Sequence, residues 1–419
     1  MSGNIKNLRV VRYIVSMKLS QYLVLIFLVL GYSSQKVEAQ ILRLDGLRTH
    51  PSELDKHIQA LVDKAKVTGF AVTIFNNDSV VYQKAFGYAN YETKVTLKVG
   101  QVFYGASLSK AVFGYLVAQL AHKGIIDLDK PLQNYLDVSI TELKMHREWR
   151  GFKDLSGDER YKKITARMCM SHSTGFPNWR WISRTGEFQP EGKLHFYFDP
   201  GTEYSYSGEG MQLLQHVVEK ITGKSLEQLA TEYVFAPLEM QMTSYLWQKR
   251  FENNTCNGHT KDQKVVKIDI ADETAAAGSM STTVVDYSKF MQHILQLTRS
   301  NSPVTNLMFT PNIQIHSKKQ FGPGALERSG ENDAIGLSYG LGWGLLTTTP
   351  YGKAAFKEGH GEGFQHYSII YPDIGIGILL MSNSDNAESI FKEVLEIGIG
   401  DIYTPWYWED YIPFDYKQK

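Results

Sequence analysis

The chain has 419 residues, 43% hydrophobic and 21% charged, enough to bury one large core or two modest ones. Lys+Arg and Asp+Glu are both 44, so no basic excess marks a surface for nucleic acid or anionic membrane. Of the two cysteines, Cys169 stands among apolar neighbours and reads as a small buried hydrophobe, with a bridge to Cys256 left open.

The first 39 residues have the pattern of an export signal. Basic Lys6, Arg9, Arg12 and Lys18 precede the apolar run 22–30, and Val37-Glu38-Ala39 follows as a cleavage site; Met17 could serve as the start equally well. The run is short for a membrane span, and no cysteine follows it to take a lipid. The expectation is a mature protein beginning near Gln40, periplasmic or secreted, with no stable membrane span after cleavage.

Residues 53–66 repeat Leu54, Ile58, Leu61 and Val62 at helical spacing. Residues 70–75 and 80–86 are β-rich runs around the turn Asn76-Asn77-Asp78-Ser79. Ser107 opens an apolar helix that ends near Gly124, and a helical, loop-rich middle follows, with a helix over 211–222 closed by Gly223. Strand character returns at 339–347, 364–371 and 374–381, the last two flanking Pro372-Asp373, before a final helix over 387–399. Strands from both ends of the chain must pair with each other. The fold class is therefore α/β (α+β), an antiparallel sheet built from N- and C-terminal strands with a largely helical insertion. One unit should span 40–400, with an aromatic tail over 401–419 lying against it as a cover.

Ser107-Leu108-Ser109-Lys110 carries the chemistry. Residues at i and i+3 share a helix face, so Lys110 can reach the Ser107 oxygen, and a desolvated amine there can act as its base. The spacing recurs at Ser389-Ile390-Phe391-Lys392, which serves as a control. That copy lies inside the last helix and reads as structural. Ser107 instead follows the β-rich Val102-Phe103-Tyr104-Gly105, where free backbone N–H groups can hold an oxyanion. The glycine clusters at 340–344 and 359–363 open no helix in a βαβ unit, and no metal-binding spacing appears among the twelve histidines. No cofactor and no metal are expected.

With these residues in view the chain resembles the serine β-lactamase and penicillin-binding protein superfamily. The likeness is to the branch of class C β-lactamases, D-alanyl-D-alanine carboxypeptidases and related esterases, and it spans nearly all of the chain after residue 39. Besides residues 103–110, it includes 164–175 with Ser171-His172-Ser173-Thr174-Gly175, then Pro200-Gly201-Thr202 before Tyr204-Ser205-Tyr206-Ser207. Ala277-Gly278-Ser279-Met280-Ser281-Thr282 and Tyr339-Gly340-Leu341-Gly342-Trp343 also match, and His360 stands where the third motif belongs.

The resemblance implies that Ser107 is acylated, Lys110 takes its proton, and Tyr206 moves a proton to the leaving group and later activates water. It places the oxyanion donors at the N–H groups of Ser107 and Gly363, and makes His172 structural. Two departures stand out. Tyr206-Ser207-Gly208 lacks the asparagine of the second motif, and His360-Gly361-Glu362-Gly363 replaces a hydroxyl with an acid. Glu362 in the cleft would repel substrate carboxylates, and restoring Asn at 208 together with Gly at 362 should raise penicillin acylation. The substrate-binding set is thus His360, Gly361, Glu362, Gly363 and Gly208. The implied activity is a serine acyl hydrolase, weak as a β-lactamase, acting on esters or neutral or cationic amides in small-molecule or peptide form. D-alanyl-D-alanine carboxypeptidase, true class C β-lactamase and a non-catalytic sensor of cell-wall fragments are the alternatives.

Overall fold

The computed structural model describes residues 40–268 and 270–417, so the expected export segment lies outside the described residues. Two-residue strands β1 (Ile41–Leu42) and β2 (Arg48–Thr49) pair with each other and lead into α1 (Pro51–Lys64). Pro51 starts this helix where a missing N–H costs nothing, and its stripe of Leu54, Ile58 and Val62 is buried.

The body is a nine-stranded antiparallel sheet in the order β5-β4-β3-β13-β12-β11-β10-β9-β8. Its strands are β3 (Gly69–Asn76), β4 (Ser79–Asn90), β5 (Val95–Thr96), β8 (Ile313–Gln314), β9 (Leu337–Tyr339), β10 (Gly344–Thr349), β11 (Gly352–Gly361), β12 (Phe364–Tyr371) and β13 (Ile376–Ser382). The joint between the two ends of the chain is β3 against β13, in register from Phe75↔Gly377 to Phe70↔Ser382. Both faces of the sheet are covered, and β3 shows why: its eight residues are all buried, with Ala71 and Phe75 in one core and Phe70, Val72 and Ile74 in the other.

The first core includes α2 (Leu108–His122), α3 (Ala166–Met170), α4 (Gly208–Thr222) and α5 (Leu226–Ala230). It also takes α6 (Val284–Arg299) and α7 (Pro303–Met308). The second core includes α1, α8 (Glu388–Ile399) and the C-terminal segment. Trp408 and Tyr411 are each 1% exposed, and Tyr411 stands edge-on to Tyr367 and Phe391, so the aromatic tail is wall rather than appendage.

Three features differ from the sequence reading. Strand β11 was not expected, because Lys353, Lys357, Glu358 and three glycines interrupt its apolar residues. The run 339–347 is two strands, β9 and β10, split at Gly340-Leu341-Gly342-Trp343. The insertion between α2 and β7 (Ser281–Thr283) is more turn and loop than helix. Cys169 and Cys256 are both buried free thiols. Among the described residues no helix is long and apolar enough to cross a membrane.

Candidate active site

Two antiparallel strands, β6 (Val102–Tyr104) and β7, aim the chain at the site. The Gly105 N–H donates to Met280 O at 2.8 Å, and Ala106 then turns through φ 45°, a left-handed conformation costly for a residue with a side chain. That turn leaves Ser107 as the N-cap of α2 without using its side chain as a cap. Helix α2 is apolar nearly all round and buried, which fixes what it carries.

Lys110, 2% exposed, places its Nζ 2.8 Å from Ser107 Oγ and 2.5 Å from Ala277 O. Burial pushes this amine well below the ordinary lysine range, and the nearby Lys357 charge pushes it further. The control behaves differently: Ser389 Oγ donates to Asn386 O on an ordinary helix start, and Lys392 pairs with Glu396.

Tyr206 sits just before α4, its ring 4.9 Å from Lys110 Nζ and 4.8 Å from Lys357 Nζ. Lys357 donates to the Tyr206 hydroxyl at 2.8 Å and to Glu358 Oε1 at 2.5 Å. Burial, aided by the Glu358 charge, drives the Tyr206 phenol well above its usual range, so it is protonated. Burial would also raise Glu358, but the Lys357 ammonium outweighs it and holds the carboxyl below its usual value. His172, fully buried, stacks 4.1 Å from the Tyr206 ring and accepts the Ser207 N–H on Nδ1 at 3.1 Å. Burial first, then the Lys357 charge, push its imidazole well below the ordinary histidine range, so it orients the tyrosine segment.

The other expected binding residues divide. His360 lines the cavities at Ser107, with Nδ1 3.0 Å from Glu388 Oε1. At Gly361 a Cβ would come within 2.5 Å of the Tyr104 ring, so only glycine lets β11 approach the Ser107 turn this closely. Glu362 and Gly363 are corrected: they form the two-residue turn between β11 and β12, closed by Gly361↔Phe364. Glu362 is exposed there and is not among the walls of the Ser107 cavities. The Gly363 N–H is spent on Asp385 Oδ1 at 2.8 Å, which removes it as an oxyanion donor. What faces the nucleophile is the edge of β11 itself, because β10 covers that strand only as far as Phe356.

Gly208 also has a different meaning. Its N–H donates to Asn178 Oδ1 at 3.1 Å, and a Cβ would meet Asn178 O at 2.8 Å. Asn178 lines the same cavity as Ser107 and Tyr206, so an amide absent from position 208 arrives from a loop instead. The expectation that Asn at 208 would restore the motif fails, since that side chain collides with Asn178. The loop is clamped behind by a buried ion pair, Arg180 to Glu209, at 3.0 Å and 2.8 Å. Lys357, Glu358 and Asn178 escaped the sequence reading; the one local signal was a lysine directly after the apolar run Ala354-Ala355-Phe356. Among the described residues no group of His, Cys, Asp and Glu is arranged to hold a metal ion.

A family model described as Beta-lactamase matches residues 54–395. The chain is 23% identical over 398 residues to Penicillin-binding protein 4* of Bacillus subtilis, covering 87% of this chain and 79% of that one. It is 21% identical over 264 residues to a teichoic acid D-alanine hydrolase of Staphylococcus aureus, a match that spans 61% of this chain and 60% of the relative. Among solved structures, the octameric penicillin-binding protein homologue from Pyrococcus abyssi superposes with a TM-score of 0.66 at 19% identity, over 83% of this chain and 77% of that one. The D-alanine carboxypeptidase AmpC from Burkholderia cenocepacia does so with 0.62 at 16%, over 82% and 97%. These structural likenesses establish the antiparallel-sheet fold.

Proposed function

The chain belongs to the Beta-lactamase family, and from that premise we propose that it is a serine acyl hydrolase working through an acyl-enzyme on Ser107. The observation that carries this reading is the Lys110 amine: buried, pushed by that burial well below the ordinary lysine range, and 2.8 Å from the serine oxygen. A neutral amine can donate one N–H to Ala277 O while its lone pair accepts the Ser107 O–H.

In acylation that proton passes to Lys110, and Oγ bonds to the substrate carbonyl carbon. The oxyanion is held by the Ser107 N–H and by backbone on the open edge of β11. The bond to the alcohol or amine breaks as the leaving group takes a proton by way of Tyr206. Water then attacks the acyl carbon, giving up its proton through the same groups and releasing acid and free Ser107. Lys357 keeps the Tyr206 hydroxyl aimed. Replacing Tyr206 with phenylalanine should lower kcat by about 100-fold with the fold intact, since a positioned proton donor contributes at that scale. Steady-state kinetics beside circular dichroism checks this, and unchanged kcat removes the tyrosine from the mechanism.

Esters and amides are the substrate class that the relatives' names suggest, a D-alanine hydrolase and a carboxypeptidase among them. Export to the cell wall's side of the membrane fits the expected signal. Fluorophosphonate labelling of the folded protein tests the reading: Ser107 should react, whereas a folded protein that stays unlabelled would favour a binder of cell-wall fragments.

A further inference from the structure

One of the cavities at Ser107, about 640 Å³ in volume, extends to Trp179 and has Arg147, Arg150, Gln212, Asp272 and Glu273 in its wall. The step from nucleophile to tryptophan is short. Lys110 touches both Ser107 Oγ and Ala277 O, and a Cβ at Gly208 would lie 3.6 Å from Ala277 Cβ and 2.8 Å from the carbonyl oxygen of Asn178, the residue before Trp179. A side chain at 208 would stand in that gap, and glycine leaves it open.

Trp179 is 42% exposed although its backbone is held on both sides. The Ile182 N–H donates to Trp179 O at 2.9 Å and the Gln189 N–H to Trp181 O at 2.7 Å. Arg180, buried between them and paired with Glu209, also donates Nη1 to Trp149 O at 2.6 Å and Gly151 O at 3.0 Å. The Trp179 ring lies 5.4 Å from that of Trp149 and 5.1 Å from that of Trp181. Rings this close make a surface, not a cage around a cation. The result is a rigid aromatic face at the cleft, ready to bind without further ordering.

The polar groups beside it leave no net charge. Arg147 meets Asp272 at 2.6 Å and Glu273 at 3.3 Å, and Arg150 meets Glu273 at 3.5 Å. Gln212 gives its Oε1 to Arg150, and Asn178 its Oδ1 to the Gly208 N–H, so neither amide N–H2 has a hydrogen-bond partner among the described residues. The Asp272 side chain is 73% exposed and keeps acceptor capacity. Such a wall suits a neutral ligand that is apolar on one face and hydroxylated at its edge.

We propose that this cavity holds the sugar part of a saccharide ester, with a neutral pyranose ring stacked on Trp179, so that Ser107 removes an acyl group from a sugar hydroxyl. This rests on the acyl-hydrolase reading and narrows it. The C–H face of a pyranose is attracted to the negative face of an indole, and its hydroxyls accept from the two amides and donate to Asp272. The acyl carbon exchanges its bond to the sugar oxygen for one to Ser107 Oγ, and that oxygen leaves with the proton delivered by way of Tyr206.

The test compares kcat/KM for cellobiose monoacetates, a mixture that offers the acyl group on each hydroxyl in turn, with that for glycerol monoacetate, which has hydroxyls but no ring. Dividing the ratio of the two in the wild type by the ratio in Trp179→Ala cancels each ester's own reactivity. The ratio should fall by about fivefold or more in the variant, the scale of one aromatic contact. A smaller fall, or cellobiose esters left intact by the wild type, overturns the proposal. In the wild type alone, cellobiose should slow fluorophosphonate labelling of Ser107 while glycerol at the same hydroxyl concentration does not, and equal effects overturn it even if the variant fails to fold. If Ser107 is never labelled, the acyl-hydrolase reading falls and this proposal with it. If Ser107 is labelled but either comparison fails, only the saccharide site is lost.

Discussion

Replacing Lys110 with methionine should lower the rate of Ser107 acylation by about 10,000-fold while leaving a folded protein. A serine hydroxyl without a base is a weak nucleophile, and disabling one member of a nucleophile–base pair removes nearly all that the pair contributes. The same substitution has a second signature. In the folded wild type the amine lies well below its ordinary value of 10.5, whereas the unfolded chain restores that value. Between the two values the unfolded state binds the extra proton, so the buried amine costs stability, and the cost grows as pH falls. Methionine has nothing to titrate. The stability of Lys110→Met relative to wild type should therefore shift in the variant's favour as pH is lowered through that window. Urea unfolding across pH checks this, and wild-type kcat/KM should decline over the acid side as the amine gains its proton. A variant that keeps its activity, or a stability difference flat in pH, contradicts a neutral Lys110.

Lys357 should matter for the opposite reason. Its side chain is wholly buried, Glu358 is 8% exposed beside it, and together they hold the Tyr206 hydroxyl. Lys357→Met leaves a buried carboxyl without its cation, a change that costs about 3–5 kcal/mol. In the wild type Glu358 lies below its ordinary value of 4.5, so its stabilising contribution is full above that pH and is lost as pH falls through the folded value. Without Lys357 burial is the largest influence left, and the carboxyl moves upward and takes a proton on folding. The deficit of the variant should be largest near neutral pH and shrink toward pH 4, because the unfolded chain is then protonated as well. Denaturant unfolding at the two pH values measures it. A deficit that grows on acidification, or none at all, would mean that the pair is not what holds this corner.

How much could be read from sequence depends on how local each relation is. Ser107 and Lys110 were legible because three residues along a helix put them on one face, and the β-rich run before Ser107 set that pair apart from Ser389 and Lys392. The pairing of N-terminal with C-terminal strands, realised as β3 against β13, followed from β-rich runs at the two ends of the chain. Lys357 was hidden because its meaning comes from β11 lying beside the tyrosine segment, and its charge broke the pattern by which a strand is recognised. Gly363 misled for a related reason: counting along the motif made it an oxyanion donor, whereas it lies inside the turn between β11 and β12, where Asp385 takes its N–H. Asn178 reaches the cleft from a loop, and nothing in its neighbours along the chain announces it.

The central claim is a covalent bond at Ser107 during turnover. Acid-quenching the protein during hydrolysis of an activated ester, followed by intact mass and peptide mapping, tests it most directly. The account predicts one added acyl group, confined to the peptide containing Ser107 and absent from Ser107→Ala, which also loses turnover. Hydrolysis that continues in Ser107→Ala, or an acyl group mapped to another residue, would contradict it.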